Sequence, residues 1–219
     1  MYSQSADGEH WRPQAVIPMV IESSYRGERV FDIYSRLLRE RIIMIGTPID
    51  ELVVGSVIAQ LLFLASDDPA GDIWLYLNSP GGSVTSGLAL YDTIQLIQPD
   101  VATVCMGSTH GMASVLLAGG ARGKRYILPN SRVHMHPAPG GASGYAPDVE
   151  VQARELLRQQ QMVREILAAD TGQSMERINK DFDRDLFLTA QQAREYGIVD
   201  SIMAGSDESW LARGALVDA

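Results

Sequence analysis

The fold is decided by a stretch that reads as strand, turn and helix: IWLYLNSPGGSVTSGLALYDTIQLI, residues 73–97. Residues 73–77 are apolar and rich in strand-forming types, which predicts a strand buried on both faces. The cluster at 78–82 contains Asn, Ser, Pro and two Gly, which is typical of a tight turn. Ser83 can then cap a helix that reaches Ile97. The stretch therefore predicts one complete strand–turn–helix unit.

The same alternation continues on both sides of this unit. Further expected elements are a helix capped by Asp50 and ended by 67–69, a strand at 101–106, a loop at 107–110, a helix ended by 119–120, strands at 125–128 and 131–136, a helix at 147–169, a helix from Thr189 to Gly197 and a strand at 198–202. Strands and helices at this spacing form βαβ units. The sequence thus predicts an α/β fold around a mostly parallel sheet.

The long helix at 147–169 carries a single apolar stripe. Val149, Leu156, Val163 and Leu167 are seven, seven and four residues apart, so they share one helix face. Two interpretations remain open from the pattern alone. The stripe packs either against another subunit or against the core of its own chain.

Composition limits the class of protein. A chain of 219 residues suggests one domain, expected at 15–204, with a disordered extension at 1–14 and a flexible tail at 205–219. The 18 basic and 27 acidic residues give a net charge of −9, which argues against a nucleic-acid or anionic-membrane surface.

Cys105 is the single cysteine, so an intrachain disulfide and a multi-cysteine metal site are excluded. The four histidines form no metal-binding motif. No signal peptide or membrane-spanning apolar run occurs, so a cytoplasmic protein is expected.

Seven segments together resemble one known family. They lie at 31–38, 75–84, 123–125, 128–132, 171–174, 181–185 and 193–200. These segments are similar to the proteolytic subunit of the Clp protease, ClpP, and the similarity runs from 18 to 202 without a gap. The resemblance implies a crotonase/ClpP-like fold of repeated βαβ units with a projecting handle helix. It also implies a serine peptidase with a Ser-His-Asp triad.

The nucleophile of this family is missing from the chain. The family has roughly Gly-Gln-Ala-Ala-Ser-Met-Gly-Ala where this chain has GSTHGMAS, residues 107–114. Met112 and the apolar run after it fix the register, so Gly111 occupies the position of the nucleophilic serine. Glycine has no hydroxyl with which to attack a carbonyl, whereas the triad mechanism needs a nucleophile, a base and an orienting carboxylate.

The other site residues are matched by resemblance. His136 falls on the position of the base and Asp185 on that of the orienting residue, and the backbone N–H groups of Gly82 and Met112 fall on the oxyanion donors. We expect His110 to fill the space vacated by the serine. We expect His134 to point to the opposite face of the strand from His136 and to be structural.

A second departure follows the base. The family usually has His-Gln-Pro-Leu-Gly-Gly, and this chain has HPAPGG, residues 136–141. In the family this segment leads into the strand beside which the peptide lies, and peptides bind such a strand through main-chain donors. Proline has no N–H group, so Pro137 and Pro139 are expected to weaken peptide binding.

Three functional interpretations remain. The first is a catalytically silent subunit, similar to the ClpR paralogues of the family, that contributes ring surfaces and docking sites for an unfoldase. The second is an active peptidase that uses Ser108, Thr109 or Ser114, whose oxygen would have to lie about 3 Å from His136. The third is an acyl-CoA enzyme of the crotonase superfamily, against which the ring-forming signature at 31–38 and the long helix speak.

The resemblance also implies partners. It implies heptameric rings that stack in pairs to a tetradecamer, homomeric or mixed, with Asp183 and Arg184 as the ring-to-ring ion-pair residues. The further partners are an AAA+ Clp unfoldase, which uses the ATP, and unfolded polypeptide substrates. No cofactor, metal, nucleic acid or membrane is expected to bind the chain itself.

Overall fold

The computed structural model describes residues 17–24, 27–136 and 144–203, which fall into two units that divide between Arg36 and Leu37. The first unit contains an antiparallel hairpin of β1 (Met19–Ser24) and β2 (Gly27–Asp32), which the sequence did not predict. The helix α1 (Ile33–Arg39) follows directly, and its first N–H group donates to the carbonyl of Pro18 at 3.0 Å.

The second unit is built on one sheet. Its seven described strands are β3 (Ile42–Ile45), β4 (Ile73–Ser79), β5 (Val101–His110), β6 (Arg125–Ile127), β7 (Arg132–Met135), β8 (Leu186–Thr189) and β9 (Ser201–Ile202). Five strands run parallel in the order β3-β4-β5-β6-β9. The strand β7 pairs in parallel with the end of β5 and antiparallel with β8.

Helices connect these strands in βαβ units. They are α2 (Glu51–Asp67), α3 (Val84–Leu96), α4 (Met112–Ala118), α5 (Ala146–Thr171), α6 (Met175–Asp181) and α7 (Ala190–Tyr196). Leucines of β4 and α4 are completely buried between the layers, including Leu75, Leu77 and Leu116. The α/β fold of parallel βαβ units is therefore confirmed.

The expected helix starts follow from their caps. A side-chain oxygen of Asp50 accepts the N–H of Val53 at 2.8 Å, and Oγ of Ser83 accepts the N–H of Ser86 at 3.2 Å. Thr189 forms a reciprocal capping box with Gln192. Each cap satisfies a backbone donor that the first turn of a helix leaves without an intrahelical partner.

Two expected elements are corrected. The loop predicted at 107–110 is the end of β5, because Gly107 takes a positive φ of 81° at an irregularity and the strand then continues beside β7. The final strand covers Ser201–Ile202 and not all of 198–202. The residues at 198–199 are buried but belong to the turn after α7.

The long helix α5 packs along part of its length. Val163 and Leu167 are buried, whereas Val149 and Leu156 are half-buried. The first half of the helix is largely exposed to solvent, as expected of a projecting helix.

The expected extension at 1–14 and tail at 205–219 lie outside the described residues, so the domain limits of 15–204 stay predictions. Within the described ranges, no helix combines the length and the apolar character that a bilayer crossing requires.

Candidate active site

The nucleophile position forms a sharp turn between β5 and α4. Gly111 has φ 50° and ψ −118°, a backbone conformation that residues with a side chain rarely adopt. Its N–H donates to the carbonyl of His134 at 3.0 Å, and its own carbonyl accepts the N–H of Ser114 at 3.0 Å. The turn is thus held on one side by β7 and on the other by the first turn of α4.

The loop after β4 approaches this turn closely. A Cβ atom on Gly81 would lie 2.4 Å from the carbonyl oxygen of His110, and one on Gly82 would lie 2.2 Å from that of Ile49. Both residues also have positive φ, so glycine is required at each. The N–H of Ser83 donates to the Ile49 carbonyl at 2.8 Å, which fixes the loop beside the turn.

These two segments border a cleft of about 500 Å³. Gly82, Gly111, Met112 and His136 all line it, so the structure brings together four of the five residues matched to the family site. Met112 is the first residue of α4, a position whose N–H has no acceptor within the helix. The oxyanion role of Gly82 and Met112 stays a prediction, and their place in the cleft is compatible with it.

The base candidate lies against the nucleophile position. A Cβ atom on Gly111 would lie 3.1 Å from both Cε1 and Nε2 of His136, which is closer than most Cβ contacts. A hydroxyl at this position would therefore be within hydrogen-bond reach of the imidazole. The imidazole of the base candidate is therefore in place, whereas Gly111 carries no hydroxyl for it to activate.

His134 does not point away from His136, so the expected opposite orientation is wrong. The two residues are two positions apart, and side chains at that spacing share one face of an extended chain. Their ring centroids are 4.8 Å apart, and Phe187 stacks on the ring of His134 at 3.9 Å.

His110 belongs to the same cluster. Its Nδ1 lies 3.4 Å from Nδ1 of His134, and His110 is not among the residues that line the cleft. The ring of His110 thus contacts His134, and the expectation that it fills the vacated space stays a prediction. Burial lowers the pKa of His110, and the neighbouring His134 and His136 lower it further.

Asp185 contacts the neighbour of the base candidate. Its Oδ1 lies 3.5 Å from Nε2 of His134, and its side chain is 65% exposed. That nitrogen is buried and has no hydrogen-bond partner in the part of the chain that the structure describes, so the contact is a weak ion pair that needs a protonated His134. The β7–β8 ladder ends at Met135 and Leu186, one pair before His136 and Asp185 would face each other. The orienting role of Asp185 towards His136 stays a prediction.

The three candidate substitute hydroxyls do not line the cleft. Oγ of Ser114 is buried and donates to the carbonyl of Thr109 at 2.9 Å. Thr109 is itself fully buried, and the backbone N–H of Ser108 donates to Oδ1 of Asn78 at 3.2 Å. The cleft contains a different hydroxyl, that of Ser83, which accepts the N–H of Ser86 as a helix cap.

Other candidate groups have limited chemistry. Burial raises the pKa of the Cys105 thiol to about 11, so the thiol is protonated and unreactive at neutral pH. Within the described ranges, no three metal-binding side chains converge. Asp183 and Arg184 are exposed. Arg164 and Gln160 of α5 also line the cleft, and sequence reasoning missed them because they lie within a charged helix and outside every motif.

Comparison with known proteins places these features in context. A model of the Clp protease family matches residues 25–206. The chain is also similar to the ATP-dependent Clp protease proteolytic subunits of Dehalococcoides mccartyi strains BAV1, CBDB1 and 195. Each relative is 59% identical over 191 residues, which cover 87% of this chain and 96% of the relative.

Proposed function

This chain belongs to the Clp protease family, and from that premise we propose that it is a subunit of an ATP-dependent Clp-type protease complex without peptidase activity of its own. The observation that carries the proposal is Gly111, which keeps the turn between β5 and α4 but brings no nucleophile to His136. The family assignment expected from the sequence motifs is confirmed.

The rest of the site keeps its structure, and what it lacks is the nucleophile. The cleft, the imidazole of His136 and the glycine loop are all present. Acyl transfer by a triad enzyme nevertheless requires an atom that forms the covalent intermediate, and a base without a nucleophile cannot supply one.

The proposed role of the subunit is assembly. It would form heptameric rings that stack in pairs, alone or with an active paralogue, and dock an AAA+ unfoldase that uses ATP to deliver unfolded polypeptides. The exposed apolar side chains of Val151 and Leu157 in the first half of α5 are open to a partner and support association. The chain itself would bind no cofactor, and its place of action would be the cytoplasm.

The second candidate is a serine-type endopeptidase that uses a substitute hydroxyl. The internal hydrogen bonds of Ser114 and the burial of Thr109 support the silent subunit instead. The acyl-CoA enzyme is a weaker candidate still, because the chain is similar to Clp proteolytic subunits over almost their whole length.

A fluorophosphonate probe tests the proposal. We expect the purified protein to remain unlabelled and to leave short fluorogenic peptides intact, while a serine-bearing Clp proteolytic subunit measured in parallel is labelled and active. Labelling or turnover that Ser114→Ala or Thr109→Ala abolishes would overturn the proposal in favour of the active peptidase.

A further inference from the structure

The cleft beside Gly111 has an unusual charge for this chain. The chain has a net charge of −9, yet the described residues that line the cleft include no carboxylate. Arg164 is the one permanently charged side chain among them. The electrostatic environment of the cleft therefore favours an anion, whereas the composition of the chain as a whole disfavours one.

Arg164 has donor capacity that its described neighbours do not use. Its Nε is buried and has no hydrogen-bond partner among the described residues. Its Nη1 donates to Oδ1 of Asn179 at 3.3 Å, a long bond to a neutral acceptor. An unsatisfied buried donor on a charged group is costly, so an acceptor that enters the cleft gains more than it would at an exposed arginine.

The other walls are mostly apolar or backbone, with Ser83, His136 and Gln160 as the uncharged or titratable polar side chains. The apolar wall residues include Pro48, Pro80, Val84, Val163 and Phe182. Gly82 and Met112 also line the cleft, and a carboxylate oxygen can accept hydrogen bonds from backbone N–H groups such as theirs. A fitting ligand thus combines one carboxylate with an apolar group next to it.

We propose that this cleft binds, without reaction, the C-terminal carboxylate of a peptide whose last residue is apolar. The inference rests on the proposed function, because a subunit inside a protease complex is exposed to newly released peptide ends. Arg164 supplies the charge and the backbone N–H groups supply further donors. Gly111 offers no atom that could form an ester with the peptide.

Fluorescence anisotropy tests the proposal with the full chain. The probe is the tetrapeptide Ala-Ala-Ala-Leu, labelled with fluorescein at its N-terminus and ending in a carboxylate, and the comparison is the same peptide with a C-terminal amide. We expect the carboxylate form to bind about tenfold more tightly, which corresponds to one charge-assisted hydrogen bond. Equal affinity for the two forms would overturn the proposal.

Variants assign the effect to the cleft. Arg164→Gln is expected to abolish the preference for the carboxylate, and Arg164→Lys, which keeps the charge, to retain part of it. The control is Arg154→Gln, since Arg154 lies on the same helix but is exposed and paired with Glu150. Loss of the preference in the Arg154→Gln variant, or its persistence in a folded Arg164→Gln variant, would contradict the assignment.

Two further measurements separate the alternatives. Octanoate is added as a competitor of the labelled peptide, and its effect is compared with that of the unlabelled peptide. If both displace the probe at the same concentration, the cleft is a general site for fatty carboxylates and the proposal is overturned. Mass spectrometry of the probe after incubation reports hydrolysis. Cleavage would contradict the silent subunit, whereas equal binding of acid and amide by an uncleaving protein would contradict only the carboxylate site.

Discussion

At the scale of single residues, Gly111 shows that the shape of the active-site turn does not depend on the residue that performs the chemistry. Its φ of 50° and ψ of −118° are available to glycine without steric cost. A residue with a side chain held in such a conformation is strained by about 1–3 kcal/mol. Glycine at this position therefore removes the nucleophile and relieves backbone strain together.

The first prediction concerns restoration of the hydroxyl. Gly111→Ser should give about one hundredth or less of the activity of a serine-bearing family member, because small errors in the placement of reacting groups are costly and Asp185 contacts His134. Adding His134→Met removes that competing imidazole and should raise the activity further. Hydrolysis of fluorogenic peptides measures both variants.

The activity of these variants shows whether the position of Asp185 or the two prolines after His136 limit the restored site. Full activity from Gly111→Ser alone would show that the position of Asp185 is unimportant. It would show equally that Pro137 and Pro139, which lie outside the described residues, do not impair peptide binding.

The second prediction concerns the pH dependence of stability. Burial, with His134 and His136 nearby, lowers the pKa of His110, and Asp185 is the acidic residue that contacts the cluster through His134. Below about pH 6.5 the unfolded chain binds a proton at this position more readily than the folded chain does. The free energy of unfolding should therefore decrease as pH falls from 7.5 to 5.5. Urea unfolding should show a smaller decrease for His110→Gln, and an equal decrease in the two proteins would contradict the prediction.

At the scale of secondary-structure elements, Arg125 joins several elements at one point. From β6, its Nη1 donates to the carbonyls of Ala118 and Asp170 at 3.2 and 2.9 Å, and its Nη2 donates to Oδ1 of Asp200 at 2.6 Å. Burial alone would raise the pKa of Asp200, but its interactions with Arg125 outweigh that effect and lower it. The arginine thus links β6 to the ends of α4 and α5.

The third prediction follows from this network. Arg125→Ala should lower the free energy of unfolding by about 3–5 kcal/mol, because it leaves Asp200 without its charged partner and two carbonyls without a donor. The control is Arg158→Ala, since Arg158 pairs with Glu155 on the exposed surface of α5, where solvent screens the pair and its contribution to stability is small. Urea unfolding at one fixed protein concentration measures both, and similar losses for the two variants would contradict the prediction.

Elements were predictable where local chemistry determines them. The caps Asp50, Ser83 and Thr189 mark helix starts because each satisfies a donor within its own turn. The strand β8 was missed because its four residues become a strand through pairing with β7, which is distant in sequence. The site shows the same division: motifs located Gly111 and His136, whereas the contact of Asp185 with His134 depends on side-chain packing between strands.

At the scale of the whole molecule, the surface of α5 argues for association. Tyr145 at the N-cap of α5 is 84% exposed, and Val151 and Leu157 within the helix are 65% and 64% exposed. Val163 and Leu167 of the same helix are buried, so the apolar stripe serves the core at one end. The second half of the stripe therefore packs within the chain. In the first half Val149 and Leu156 are half-buried, and a partner surface there stays a prediction.

The last prediction concerns assembly. We expect the protein to sediment as stacked heptameric rings, alone or mixed with an active paralogue. Arg184→Glu should leave single rings, because Asp183 and Arg184 are exposed and the reversal places like charges across the proposed ring contact. Combining Arg184→Glu with Asp183→Arg restores complementarity if the two residues pair across rings, and should restore stacking.

The matched control for this series is Arg194→Glu, which makes the same charge change at an exposed position of α7. This variant should sediment like the unmodified protein, because its position lies outside the proposed ring contact. Unchanged stacking in Arg184→Glu would remove these residues from the contact while leaving the rings themselves. A monomer, both alone and with every Clp-type paralogue of its host, would contradict assembly altogether, and the exposed face of α5 would then require a different partner.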